Sequence, residues 1–428
     1  MKRLISVLLL ATLSVGAFAC TSIIITGKAT GDGRPLMWKN TDGGDYYTAQ
    51  RFSYHEKGKF AWMGLAMTVP DPVNAWFGAN EAGFAIMNTA SHNLITDPVE
   101  KAKRANGYLM KEALDQCVTL KDFLNLLDTI DTSRIPLKKR NVSSHYGVID
   151  AKGGAAYVET RVVKDKVEYW VFDVNDPELA PEGWMVYANW SKMGAEDQGG
   201  GYIRHDNAVK IFSEADPRDF SPRFIFDKGS RSFYNSLIGV DYRALVDAGF
   251  DMGSGYIPDS DFIPRNTTYV SSVVQGVKPG EDPSLITLWT AQGYPPTSVA
   301  IPAWVCGGTE CLNPLLKGNP DNNDNSAICD MSLKLKTQIF DVVRGNGQKY
   351  LNFGKLYNVR GDGYIQQLSP VEQSIFDVTE TYLAKWRKAG KPNKKDIKEL
   401  NTKVEEIVMS APCYQNIPYT YKYGKIGN

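Results

Sequence analysis

From Cys20 to about Arg161, apolar residues come in short runs broken by Gly, Asp and Asn, the punctuation of strands rather than helices. TSIIIT, PLMWKN, AWMGLAMTV and GFAIMN are such runs, and GKATGDGR between the first two predicts a hairpin connection. The period then changes. Leu109, Met110, Ala113, Leu114 and Cys117 recur at helical spacing over Gly107 to Val118, as do Phe123, Leu124 and Leu127 over Leu120 to Ile130. Strand-like runs return in SHYGVIDA, GAAYVETRVV, KVEYWVFDV and WMVYANW. Strand pairs, two helices and further strand pairs predict a layered α+β domain rather than a parallel βαβ array.

Residues 190 to 330 read as loop-rich, with QGGGY and NPDNNDNS as surface connections. The tail is helical. Ser369 as cap and Pro370 in the first turn predict a helix to about Lys388, and Gly390-Lys391-Pro392 breaks it before a second helix to about Met409. Residues 366 to 410 are thus expected as a helical hairpin packed on one domain that spans 20 to 428. No internal repeat or low-complexity segment divides the chain.

The amino terminus alters the picture more than the bulk composition does. Lys2 and Arg3, an apolar run from Leu4 to Val15, and Ala17-Phe18-Ala19 match a secretory signal cut just before Cys20. A periplasmic or secreted protein is therefore expected. The whole chain holds 48 basic and 48 acidic residues, and loss of Lys2 and Arg3 leaves a formal charge of −2. That balance argues against nucleic acid or an anionic membrane as partner, and after the signal no window reaches the ~18 apolar residues of a membrane span.

Six cysteines, at 20, 117, 306, 311, 329 and 413, allow Cys306–Cys311 and Cys329–Cys413 disulfides in an oxidising compartment. The four histidines, at 55, 92, 145 and 205, have no metal-ligand spacing. The run from Asp321 fails as a calcium loop, because Ser326 replaces the turn glycine and Ser332 the bidentate glutamate. No metal or cofactor is expected.

Cys20 carries the candidate chemistry. As a first residue it would hold a thiol and a free α-amine of pKa ~8 on one carbon skeleton, nucleophile and base together. A lipid attachment point and an ordinary buried thiol are the alternatives. In PLMWKNTD, Lys39 or Asp42 would come near that amine if the strand pairs with the Cys20 strand; a surface Lys and a turn Asp are the plainer reading. Asn189, ending an apolar strand in VYANWS, could donate to an oxyanion or simply open a turn. Arg223 in DFSPRF could order the site or be solvated.

Five stretches in order, CTSIIITGKATGDGRPLMWKNTD, NEAGFAIMNTAS, HYGVIDAKGGAAYVE, VYANWS and DFSPRF, resemble the N-terminal nucleophile hydrolases. The likeness is to the acyl-coenzyme A:6-aminopenicillanic acid acyltransferase-like cysteine peptidases, with choloylglycine hydrolase and penicillin V acylase as relatives. It covers about half the chain and implies an αββα sandwich that cleaves a linear amide of a small-molecule acyl-amide substrate. By motif position it implies Cys20 as nucleophile and base, Asp42 orienting the amine, Asn189 as oxyanion donor and Arg223 supporting the nucleophile. Asn88 falls near a second, backbone oxyanion donor. Lys39 stands where choloylglycine hydrolases have Arg, which argues against bile-salt specificity because Lys lacks the bidentate fork. Acyl transfer to an amine, or a lipid-anchored binding protein without chemistry, are the other readings.

Overall fold

A computed structural model describes residues 20–43, 50–67, 75–95, 105–134, 141–253, 255–345 and 347–415. The expected signal, residues 1–19, lies outside them. The described chain opens with a hairpin, β1 (Cys20–Ile25) and β2 (Leu36–Asp42), linked through a short 3-10 turn at Gly27–Ala29, as GKATGDGR predicts. An antiparallel meander follows: β3 (Gln50–His55), β4 (Trp62–Met67), β5 (Phe77–Asn80), β6 (Ala85–Thr89), β7 (Ser144–Ile149), β8 (Ala155–Val163) and β9 (Lys166–Asp173). The chain then returns to the first sheet. There β10 (Trp184–Tyr187) pairs with β1, while β11 (Thr268–Gln275), β12 (Thr287–Gln292) and β13 (Ile301–Ala303) extend it beyond β2.

The two sheets stack face to face, and helices cover both outer sides. Ile24 and Met37 of the first sheet share one core with Met63, Leu65, Phe77, Met87 and Tyr157 of the meander. At Gly147 the sheets come so close that a Cβ would sit 3.2 Å from Ile24 Cδ1. On the meander's outer face lie α1 (Asn106–Gln116) and α2 (Leu120–Thr129), burying Leu109, Met110, Leu114, Phe123 and Leu127 against Phe84, Ile86 and Val148. Each such side chain contributes ~1.5–3 kcal/mol. Helix α2 starts where a capping box permits it: Thr119 Oγ1 accepts from the Asp122 N–H and Asp122 accepts from the Thr119 N–H.

Across the first sheet, α3 (Tyr202–Glu214) sets Phe212 against Trp38, ring centroids 6.2 Å apart. Beyond α4 (Ala327–Ile339), the helical tail forms α5 (Tyr364–Ala389) and α6 (Lys394–Met409), and Phe376 of α5 packs 4.6 Å from Trp289 of β12. The expected α+β class and αββα layering hold.

Three local expectations are sharpened or overturned. The segment from 190 to 330, loop-rich as expected, nevertheless supplies α3 and three strands of the first sheet. Helix α5 begins at Tyr364, with Pro370 inside it rather than in its first turn. No disulfide forms: all six cysteines are free, and Cys306 and Cys311 direct their sulfurs to different carbonyls, Ser284 O and Lys394 O.

Candidate active site

Register sets the first contacts of Cys20. It pairs with Thr41 of β2 on one side; on the other, Ser22 pairs with Tyr187, so Asn189 follows where β10 runs past the start of β1. Cys20 is 3% exposed. Its main-chain nitrogen donates to Asn189 Oδ1 at 2.8 Å, and its carbonyl accepts from Arg204 Nη1 at 2.8 Å. The same guanidinium donates to Thr21 Oγ1 (2.8 Å) and Asn189 Oδ1 (2.7 Å), so one buried arginine joins the Cys20 carbonyl to the side chain that holds the Cys20 nitrogen. Arg204 reaches back because Gly201, the N-cap of α3, takes φ +76 and offers no Cβ, which would clash with Nη2. QGGGY is thus the bend that brings an arginine to the site rather than a surface connection.

Charge surrounds the thiol. Lys39 of β2, 1% exposed, donates from Nζ to Asn88 Oδ1 of β6 at 2.9 Å and to Trp76 O at 3.1 Å, bridging the two sheets. Burial pushes the Cys20 thiol up; Lys39 opposes it, the Asp42 carboxylate adds to it, and the Asp42 backbone N–H and Arg204 pull it down. Burial also lowers Lys39, whose charge Cys20 and Asp42 favour. Burial, with Arg265 nearby, brings Arg204 down to about 10.

Asp42 holds its carboxylate on the opposite face of β2. There it accepts from Arg265 Nε (2.8 Å) and from the Thr268 hydroxyl, with Arg204 Nη1 4.0 Å away. Asp42 therefore stands between two guanidinium groups, bonded to the partly buried Arg265 and within ion-pair distance of Arg204, which in turn holds the Cys20 backbone.

The structure brings together Cys20, Lys39, Asp42, Asn88 and Asn189, but not Arg223. Arg223 turns outward to α5, bonding Gln373, Asp377 (2.7 Å) and Glu380 (3.2 Å). Arg204 stands at Cys20 instead. Asn189 is also oriented differently from expectation, since its Nδ2 donates to Ala90 O at 2.9 Å while Oδ1 grips the Cys20 nitrogen. Sequence reading missed Arg204, Arg265 and Thr268. The glycines before Arg204 were the available signal; Arg265 and Thr268 sit in a stretch with no motif.

A second polar cluster underlies the site. Tyr157 donates to Ser22 Oγ at 3.1 Å, and Tyr157 stacks at 4.1 Å on Tyr187, whose hydroxyl donates to Glu159 at 3.0 Å. Glu159 accepts from the backbone N–H of Lys192 (2.6 Å) and Met193 (2.9 Å), which fixes the turn after Asn189. His145, bonded to Ser191 Oγ at 3.2 Å, is held down to about 3 by burial.

No family model matches the chain, and no curated protein matches it. Solved structures similar to it include a Caenorhabditis elegans N-acylethanolamine-hydrolyzing acid amidase ortholog, 15% identical over 60% of this chain and 92% of that one, TM-score 0.39. A variant of conjugated bile acid hydrolase from Clostridium perfringens is 12% identical over 67% and 93%, TM-score 0.39. Penicillin V acylase from Agrobacterium tumefaciens is 14% identical over 67% and 86%, TM-score 0.36.

Proposed function

We propose that the protein is an exported cysteine amidohydrolase whose mature chain begins at Cys20. The observation that carries this reading is the double grip on the Cys20 main chain by Asn189 and Arg204, beside a thiol flanked by Lys39 and the Asp42 N–H. A cysteine buried only for packing needs none of this.

In the reaction, the α-amine takes the thiol proton and the sulfur attacks the amide carbonyl. Lys39 and the Asn88 amide lie on the thiol side of the inter-sheet space and stabilise the oxyanion. Asn189 and Arg204 act as positioning residues that hold the amine and carbonyl of Cys20, and Asp42 orders Arg204 and Arg265. The C–N bond breaks as the leaving amine takes the proton from the α-ammonium, which leaves a thioester. Water then adds to the thioester, releasing the acid and restoring the thiol.

Mass spectrometry of the mature amino terminus should find unmodified Cys20, and Cys20→Ala should lose turnover on a panel of N-acyl amino acids, bile-salt conjugates, penicillin V and short peptides. A diacylglyceryl group on Cys20, or undiminished turnover by the alanine variant, would sink the mechanism.

A further inference from the structure

Past Cys20 the first sheet continues without β1. Cys20 pairs with Thr41 and Thr41 with Val270 of β11, so Asp42, Gly43 and the start of β11 extend beyond the first residue of a chain cut before Cys20. This ledge carries two buried hydroxyls with no hydrogen-bond partner among the described residues, those of Tyr269 and Thr267. Tyr269 is 1% exposed.

The backbone explains how Tyr269 comes to lie there. The pairing shifts between Thr268 and Val270, leaving Tyr269 as the extra residue of a β-bulge. Bulges re-aim side chains. Thr268 turns to the Asp42 carboxylate, whereas the Tyr269 ring lies against Gly43, where a Cβ would clash with ring carbons. The Gly43 N–H donates to Thr267 O at 2.9 Å, tying both hydroxyl-bearing residues to the ledge. Phenylalanine would pack as well, so an unpartnered buried hydroxyl at the end of this ring calls for a ligand. Burial, together with the negative charges of Cys20 and Asp42, pushes the phenol well above its ordinary value, which keeps it a donor.

We infer that Tyr269, with Thr267 beside it, is a substrate-binding residue whose hydroxyl donates to an acceptor oxygen carried close to the scissile amide. The inference rests on the reading that the mature chain begins at Cys20 and cleaves amides. The favoured substrates are then amides substituted by an ether, hydroxyl or carbonyl oxygen near the reacting carbon, in preference to plain hydrocarbon acyl amides.

Matched substrates test this: a phenoxyacetyl amide against the 3-phenylpropanoyl amide, and an N-acyl amino acid against the N-acyl amine without its carboxylate. For at least one pair, wild type should prefer the oxygen-bearing member. Tyr269→Phe should erase that preference, lowering kcat/KM for that member by about 10- to 100-fold while sparing its partner. Thr267→Val should act in the same direction, and the melting temperature of Tyr269→Phe should be unchanged. Equal loss on both members, or no loss on either, overturns the inference. Cys20→Ala separates the two claims: turnover without the thiol defeats the proposed reaction, whereas an inactive Cys20→Ala with an unaltered Tyr269→Phe defeats only the role of Tyr269. A wild type that cleaves no member of either pair defeats both.

Discussion

Replacing Arg204 by Lys tests the grip on Cys20, the proposed nucleophile, most directly. The guanidinium makes three bonds at 2.7 to 2.8 Å, to the Cys20 carbonyl, Thr21 Oγ1 and Asn189 Oδ1. Lysine keeps the charge, but one nitrogen on a flexible stem does not span that fork. Losing two charge-assisted buried bonds removes ~3 kcal/mol or more from the grip. The part that reaches the reaction is the misplacement of sulfur and amine, and an ångström of misplacement costs about 100-fold in rate, equivalent to ~2.7 kcal/mol. Steady-state kinetics should show kcat falling ~100-fold with KM little changed, because the loosened group is the attacking one. The rate of Cys20 alkylation by iodoacetamide should change in parallel. Arg223→Ala is the internal control. Its guanidinium is 30% exposed and pairs with Asp377 and Glu380 on α5, an arrangement worth ~0–1 kcal/mol in stability and nothing in kcat. Wild-type turnover by Arg204→Lys, or equal damage from Arg223→Ala, would refute the assignment of the two arginines.

Lys39→Met removes the cation that most favours the Cys20 thiolate, so the acidic limb of the kcat/KM profile should move to higher pH and Lys39→Arg should move it back; a stationary limb counts against the electrostatic role. His145 takes a proton near pH 6.5 when unfolded but only at about 3 when folded. Its contribution is therefore constant above about 6.5, and stability falls as pH drops from there toward 3, by at most ~1.4 kcal/mol per unit. In urea titrations across that window, His145→Gln should flatten the slope, and an unchanged slope would reject the assignment. Glu372 receives two bonds of 2.6 Å from Arg231 and one of 2.7 Å from the Ala300 N–H. Glu372→Gln leaves the buried guanidinium with its carbonyl partners but without its counter-charge and should cost ~3 kcal/mol in urea unfolding, with a loss under ~1 kcal/mol contradicting it.

The parts of the fold legible in the sequence are those whose pattern is local. TSIIIT and PLMWKN become β1 and β2, and the helical periodicities near Leu109 and Phe123 become α1 and α2. Strand β11 escaped for a physical reason. Its TYVSSVVQ is buried at every position, so it shows no alternation, and its serines look polar although Ser271 accepts from Trp38 Nε1 and Ser272 bonds Thr290 inside the core. Helix α5 was started late because Pro370 resembles a first-turn proline, while the actual start is fixed by Gln366 Oε1 accepting from the Gly363 N–H. In the site, Cys20, Lys39, Asp42, Asn88 and Asn189 come from motif-bearing strands and the turns after them. Arg204 reaches Cys20 from 184 positions away, through a glycine bend whose effect exists only in three dimensions.

The place of Cys20 in the sheet bears on timing. Its strand lies between β10 and β2 rather than at an edge, and its nitrogen is closed in by a residue 169 positions downstream. On the proposal that the chain is cut before Cys20, a precursor that folded first would shut that bond away from any peptidase. Maturation becomes a race that cleavage has to win before β10 docks. A chain that loses the race would be stably folded yet permanently without its amine, an inert form that slow export or a fast-folding variant should accumulate.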